Sequence, residues 1–593
     1  MEATFKSDLT PIAQKVAEKR YFRKDDDGNC IEDWNKLARR VVNHVCRKED
    51  DAFKEKMHNL IFSTKFLPNS PCLVNAGKCD KSSGIFACFV SPSPNDSWLG
   101  MINNIANFGH IARQGGGAGV DFSTIRPEND PVFGSTHAKA CGPIEHMRMI
   151  SEVMSSITQS GFRGMAIMNT ISISHPDIEK FIVCKQQKRA LKSLLKEDIL
   201  NHYEKLKENR SHDLDIILDK FLSNINISVV VTDEFMEKVK KDEDFDLVFN
   251  AKIYKTVKAK YLFNLIVENA WKNGDPGMLF YDRMNDCPYK YSKQEIVTTN
   301  PCGEQVLPSW GSCNLGSIDV SKYYDKTKHD IDWSSLKMDI RLSVQFLDNA
   351  IDVNTFPTSD FAKWAKQNRP VGLGIMGFAD LLLSLKLSYG SPSSLKFAEK
   401  LITFFEQESH KKSVELGKER GTPKCCQYDE LENRRNITTL SIAPTGSISL
   451  LAGCSSSIEP VFSCVIYRND NTGSYKLLHP HANKKYFRCA LDKDKDKEVT
   501  WKQHIEMQSI FQKHVDAAIS KTINCSNDAS KDDIANVYMY AYENKCKGVT
   551  VYRDGCKTTQ VLTSYNSQLG TNNAAKRPKT IPADIFKTTA VWF

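Results

Sequence analysis

The sequence predicts an α/β fold, on three observations. From Phe66 onward, short runs of strand character alternate with stretches of helical periodicity. The 593 residues, 41% hydrophobic and 26% charged, suffice for several domains, or for one large barrel with additions and a sizeable core. Ahead of the alternation, apolar residues at helical spacing around Leu37, Val41, Val42 and Val45 predict a small, mainly helical region over residues 1–64.

The main body is expected over residues 65–556. Its strand candidates are residues 85–90, 167–173, 225–231 and 372–375, and its helix candidates are 102–113, 361–366 and 394–411. Residues 185–222 are amphipathic and charged and predict a helical hairpin inserted into that body. Residues 557–593 begin as a polar linker and end in a short apolar tail. No internal repeat stands out.

Composition narrows the function. No run of eighteen apolar residues is present, so no membrane span is expected. The start lacks an apolar signal-peptide core, which predicts a reducing, cytoplasmic setting. The 18 cysteines include no Cys-x-x-Cys pair, so zinc-finger spacing is missing and no metal ligand is assigned. Cys46, Cys184, Cys464 and Cys489 are expected to be small buried apolar residues. The net charge of +8 is spread out, which suits anionic small molecules and argues against a nucleic-acid stripe.

Three cysteines have richer settings. In Asn300-Pro301-Cys302-Gly303-Glu304 the amide, thiol and carboxylate alternate, and in an extended segment they would share one side. Cys313 follows in Gly311-Ser312-Cys313-Asn314, and Cys88 stands in Ala87-Cys88-Phe89. Two distant cysteines brought together by folding supply two electrons by forming a disulfide. A third beside a carboxylate acts as a nucleophile or, with an initiator, as a sulfur radical; the residues alone leave both open.

Two glycine-containing turns complete the set. Ala443-Pro444-Thr445-Gly446-Ser447-Ile448 follows an apolar run, and a strand, turn and helix start of this kind favours an anion such as phosphate. An N-capped helix after a tight turn is the alternative. Gln114-Gly115-Gly116-Gly117-Ala118-Gly119 is neither a Walker loop nor a clean dinucleotide fingerprint and reads as a tight turn with close packing.

Taken in order, Leu67-Pro68-Asn69-Ser70-Pro71, Ala87-Cys88-Phe89, the Gly115–119 run, Asn300-Pro301-Cys302-Gly303-Glu304, Ser312-Cys313-Asn314-Leu315-Gly316, Gly372-Leu373-Gly374-Ile375-Met376-Gly377, Ala443-Pro444-Thr445-Gly446 and Gly548-Val549-Thr550-Val551-Tyr552-Arg553 resemble the ribonucleotide reductase catalytic chain. The resemblance is closest to the adenosylcobalamin-dependent class II enzymes. It implies a ten-stranded α/β barrel of two five-stranded halves with a central finger loop. It implies that Cys302 is the thiyl radical, that Glu304 accepts the 3′-hydroxyl proton and that Asn300 orients the substrate hydroxyls. Cys88 and Cys313 would be the reducing pair. Ser70, Ala87 and Gly117 would line the substrate site, with the phosphates on Pro444, Thr445, Gly446, Ser447 and Ile448.

The resemblance further implies a ribonucleoside di- or triphosphate substrate, and a deoxynucleotide or ATP effector bound at a homodimer interface. Asp96 and Arg126 match effector-contacting positions, and residues 130–142 and 160–165 match the specificity loops. A single Tyr552, where class I chains carry a tyrosine pair, points to adenosylcobalamin as radical source. A class I-like subunit with a ferritin-like partner, or a non-catalytic nucleotide-binding relative, are the alternatives. No cysteine follows Cys556, so re-reduction is expected from an external dithiol such as thioredoxin or from a separate C-terminal fragment.

Overall fold

The computed structural model describes residues 9–78, 83–132, 138–157, 165–185, 222, 225–470, 473–478, 481–492 and 494–556. The expected 185–222 hairpin, apart from its two end residues, and the 557–593 tail lie outside the described residues.

The N-terminal region is helical as expected. Thr10 caps Pro11–Arg20 by accepting from the Ala13 N–H at 3.2 Å, with Pro11 in the first turn where its missing N–H costs nothing. Asp33 caps Trp34–Val45 in the same way, and that helix buries Trp34, Leu37, Val41, Val42 and Val45. Asp51–Phe62 packs against it.

A ring of ten strand segments follows. Cys88–Val90, Gly117–Asp121, Ile167–Ser172, Ile225–Val231 and Gly277–Phe280 pair in parallel, in that order. Ser312–Asp319 and Val371–Met376 pair in parallel, as do Thr522–Cys525 and Gly548–Arg553. Parallel bridges Leu373↔Leu440 and Ile442↔Ile519 insert residues 440–442 between these two pairs and complete a second parallel five. Antiparallel seams join the halves: Cys88↔Cys313 at one, Val549↔Met278 at the other. The two halves and their closure match the barrel implied by the resemblance.

Parallel strands need crossovers, and helices supply them. The predicted helix over 102–113 begins earlier, at Trp98, where Ser97 caps it through the Gly100 N–H at 3.1 Å. The predicted 394–411 helix runs Pro392–Arg420 and packs on Trp333–Val353. Beneath them Asp348, fully buried, takes Arg369 at 2.8 Å and Arg435 at 2.9 Å, with the Asn436 amide on the same carboxylate at 2.9 Å. Breaking such a buried network by removing one partner costs about 3–5 kcal/mol. It fixes residues 435 and 436, just ahead of the 440–442 segment that closes the ring.

Candidate active site

The loop between Thr299 and Val306, which bridge antiparallel, is a tight turn. The Asn300 N–H donates to the Gln305 carbonyl at 3.0 Å, the Gly303 N–H to the Asn300 carbonyl at 3.1 Å, and the Asn300 side-chain oxygen accepts from the Gln305 N–H at 3.0 Å. The extended alternation expected for Asn300, Cys302 and Glu304 is therefore corrected. Gly303 sits at φ +81°, where only glycine is unstrained, and folds the segment back on itself.

Both halves of the barrel grip this loop. From the first half, Asn226 donates to the Pro301 carbonyl at 3.0 Å. From the second, the Ala518 N–H and the Ser441 hydroxyl both donate to the Glu304 carbonyl at 2.9 Å. A Cβ at Gly119 would lie 1.8 Å from the Thr299 carbonyl oxygen, and one at Gly117 2.9 Å from Pro301 Cγ. The glycine-rich turn thus opens the space through which the finger loop passes.

At the seam, Cys88 and Cys313 are direct cross-strand partners, both buried and both free thiols. Opposite residues of an antiparallel pair have Cα atoms about 4.5–5.5 Å apart, within the 4.4–6.8 Å a disulfide spans. The Cys88 thiol donates to Glu304 Oε1 at 3.6 Å, and Asn300 Nδ2 donates to the Cys88 sulfur at 3.2 Å. Burial, reinforced by the Glu304 charge, raises both thiols well above the ordinary cysteine range, so at neutral pH both keep their hydrogen. Cys302, by contrast, is only half-buried.

Ala87, Cys88, Leu315 and Ala443 pack together, which sets the phosphate-loop candidate beside Cys88. Gly117 is the parallel partner of Cys88. Thr445 is buried with φ +54°, and its hydroxyl accepts from the Ser457 N–H at 2.7 Å; Pro444 and Ser447 are half-buried, Gly446 is exposed, and Ile448 begins a short helix, Ile448–Ala452. Ser70 opens the helix Ser70–Asn75, capped by Asn69 through the Cys72 N–H at 3.1 Å.

Asp96 and Arg126 meet as an ion pair at 2.7 Å, away from these contacts, and Arg126 also donates to the Pro131 carbonyl at 3.0 Å. Of the two specificity-loop candidates, 130–142 is described except at 133–137, with Pro131↔Lys139 bridged, and of 160–165 only Met165 is described. Tyr552 is a half-buried aromatic on Gly548–Arg553.

Several contributors carry no sequence signal. Asn226, Ser441 and Ala518 act through single backbone contacts made only after folding. Tyr21 OH meets Ser70 Oγ at 2.8 Å, and Arg20 donates to Ser447 Oγ at 2.9 Å, so the helical region reaches the phosphate-loop candidate.

The family model for the ribonucleotide reductase barrel domain matches residues 86–434, 430–495 and 478–552, and the model for the all-alpha domain of ribonucleotide reductase matches residues 7–81. A vitamin B12-dependent ribonucleoside-diphosphate reductase of Thermoplasma acidophilum is 35% identical, over 94% of this chain and 81% of the relative. One of Mycobacterium tuberculosis is 32% identical over the same shares. A ribonucleoside-diphosphate reductase large chain of Cryptosporidium parvum is 26% identical over 79% of this chain and 62% of its own length. With a two-halved barrel, a finger loop and matches over most of its length, the chain belongs to the ribonucleotide reductase large-chain family.

Proposed function

We propose that this chain reduces ribonucleotides to 2′-deoxyribonucleotides for DNA precursor synthesis, using the chemistry of class II enzymes. The observation that carries the reading is the convergence at the seam. Cys88 faces Cys313, its sulfur lies against Glu304 and Asn300, and the loop holding those two also carries Cys302. Cys302, as a thiyl, takes the 3′ hydrogen atom of the ribose. Glu304 accepts the 3′-hydroxyl proton, a role that needs hydrogen-bond reach, and Asn300 orients the hydroxyls. The 2′-hydroxyl leaves as water, Cys88 and Cys313 give up two hydrogens and become a disulfide, and the Cys302 thiol returns the 3′ hydrogen and is left as the thiyl again. Two thiols and a ribonucleotide thus give one disulfide, one water and one deoxyribonucleotide.

The initiator fits adenosylcobalamin. Of the three cysteines only Cys302 is partly exposed, on a loop gripped from both sides, so a radical initiator would reach it while Cys88 and Cys313 stay shielded. When bound, that cofactor supplies the radical that converts Cys302 to its thiyl. The Thermoplasma and Mycobacterium relatives, both named vitamin B12-dependent reductases, support this choice over a ferritin-like partner.

Ribonucleoside diphosphates are the favoured substrate class, held over Pro444, Thr445, Gly446, Ser447 and Ile448, with Ser70, Ala87 and Gly117 along the ribose. A deoxynucleotide or ATP effector is read at Asp96 and Arg126. The exposed Trp98 and Leu99 on one helix, and Val153 on the Gly142–Ser155 helix packed against it, support a homodimer face there. An external dithiol restores Cys88 and Cys313. Residues 1–64, 65–556 and 557–593 are read as helical region, barrel and tail. Among the described residues no helix is long and apolar enough to cross a membrane, and a reducing cytoplasmic setting suits the free thiols.

A single-turnover experiment tests the reading. Pre-reduced chain, freed of dithiol, is given a ribonucleoside diphosphate and adenosylcobalamin. The expected yield is one deoxynucleotide per chain at most, with a Cys88–Cys313 disulfide found by peptide mass spectrometry, and neither in Cys302→Ala. Product formed while Cys88 and Cys313 stay reduced would overturn the assignment.

A further inference from the structure

We propose that Arg20, from the N-terminal helical region, is the cation that binds the substrate's terminal phosphate and makes the site selective for diphosphates over monophosphates. The inference rests on the reductase reading and adds a residue that neither the barrel motifs nor the phosphate-loop segment contains.

The case starts from a charge deficit. Residues 443–457, which include the whole candidate phosphate loop, contain no Lys, Arg or His. Ser70, Ala87 and Gly117 are neutral as well. The nearest buried lysine in sequence, Lys521, is committed to Glu459 and to His504 Nδ1. A nucleoside diphosphate carries several negative charges, and hydroxyl and backbone donors alone leave them uncompensated in a partly dry site.

Arg20 fills the gap by position. Its Nη1 donates to Ser447 Oγ at 2.9 Å, which places the guanidinium against the loop. No carboxylate pairs with it among the described residues, and most of its five N–H donors are left for a ligand. Its backbone is fixed on both sides. The Pro11–Arg20 helix packs on Ile448–Ala452, with Thr10 Cγ2 3.5 Å from the position of a Cβ at Gly453. Tyr21, the next residue, is buried and bonded to Ser70 Oγ at 2.8 Å. The arginine is exposed, so it meets an incoming anion without first breaking an ion pair. A planar fork of this kind suits phosphate oxygens in a bidentate grip.

The test compares wild type, Arg20→Ala and Arg20→Lys for reduction of a ribonucleoside diphosphate and of the matching monophosphate, with dithiothreitol and adenosylcobalamin. Loss of one charge-assisted contact predicts a diphosphate KM about 10- to 100-fold higher in Arg20→Ala. The kcat is expected to stay near wild type, since the contact is equal in ground and transition states. Monophosphate kinetics should be unchanged, and Arg20→Lys should recover part of the loss. Raising the salt should shrink the difference between wild type and Arg20→Ala. An unchanged diphosphate KM in Arg20→Ala, beside an active wild type, would overturn the inference and leave the reductase reading intact. Equal loss for monophosphate and diphosphate would also overturn it, as the mark of a structural role. A wild type inactive on both nucleotides would remove the reductase reading and the inference with it.

Discussion

Gly119→Ala perturbs the feature on which the site most depends, the passage of the finger loop across the barrel strand Gly117–Asp121. The added Cβ would stand 1.8 Å from the Thr299 carbonyl oxygen and 2.9 Å from its carbon. Restoring even a 3.0 Å separation requires a movement of about 1.2 Å by groups that are backbone on the loop side and central strand on the other. Neither yields cheaply, because Thr299 is locked to Val306 and Gly119 to both neighbouring strands. Overpacking of this kind destabilises by about 1–3 kcal/mol. The larger effect falls on chemistry. Cys302 lies three residues beyond Thr299, and a displacement of about 1 Å of a reacting group costs on the order of 100-fold in rate. The assay is anaerobic deoxynucleotide formation, with near-ultraviolet circular dichroism to confirm folding and Gly109→Ala as control, since a Cβ there meets only Ile157 Cδ1, at 3.9 Å. A folded Gly119→Ala chain with wild-type turnover would refute the claim that this close approach sets the position of Cys302.

Two further predictions concern thiols and charge. The hydrogen bond from Cys426 lowers the pKa of half-exposed Cys425, whereas burial and Glu304 raise Cys88, so brief alkylation near pH 8 should label Cys425 well before Cys88 and Cys313 in peptide maps. Asp516 is buried, which pushes its pKa up, but Arg434 and His410 more than offset this and hold it well below the usual carboxylate range. With a folded pKa below the unfolded value of about 3.9, its contribution is complete above about pH 4 and is lost as pH falls through the folded value. Asp516→Asn should therefore cost about 3–5 kcal/mol at pH 7 in denaturant unfolding, with the gap to wild type closing in acid.

Much of this was legible in the chain, because motifs in a fixed order bring with them an architecture. The strand at 225–231 and the helical spacing around Leu37 follow directly from periodicity, and both are observed. The turned arrangement of Asn300, Cys302 and Glu304 is not legible, since period-two alternation is visible in sequence while the turn at Gly303 depends on a positive φ and on two contacts to the Glu304 carbonyl from the distant Ser441 and Ala518. The apolar run at 440–442 is legible as a strand ahead of a turn; its place between Val371–Met376 and Ile519 is a property of the closed ring. Arg20 and Tyr21 were invisible as site residues, because nothing local to a short polar helix end marks a partner more than 400 residues away.

The most direct test of the central claim is anaerobic ribonucleoside diphosphate reduction by the purified chain with dithiothreitol, run with and without adenosylcobalamin. The account predicts deoxynucleotide only when the cofactor is present, and none from Cys302→Ala. Absence of product from folded wild-type chain in both arms, or equal product in both, would contradict it.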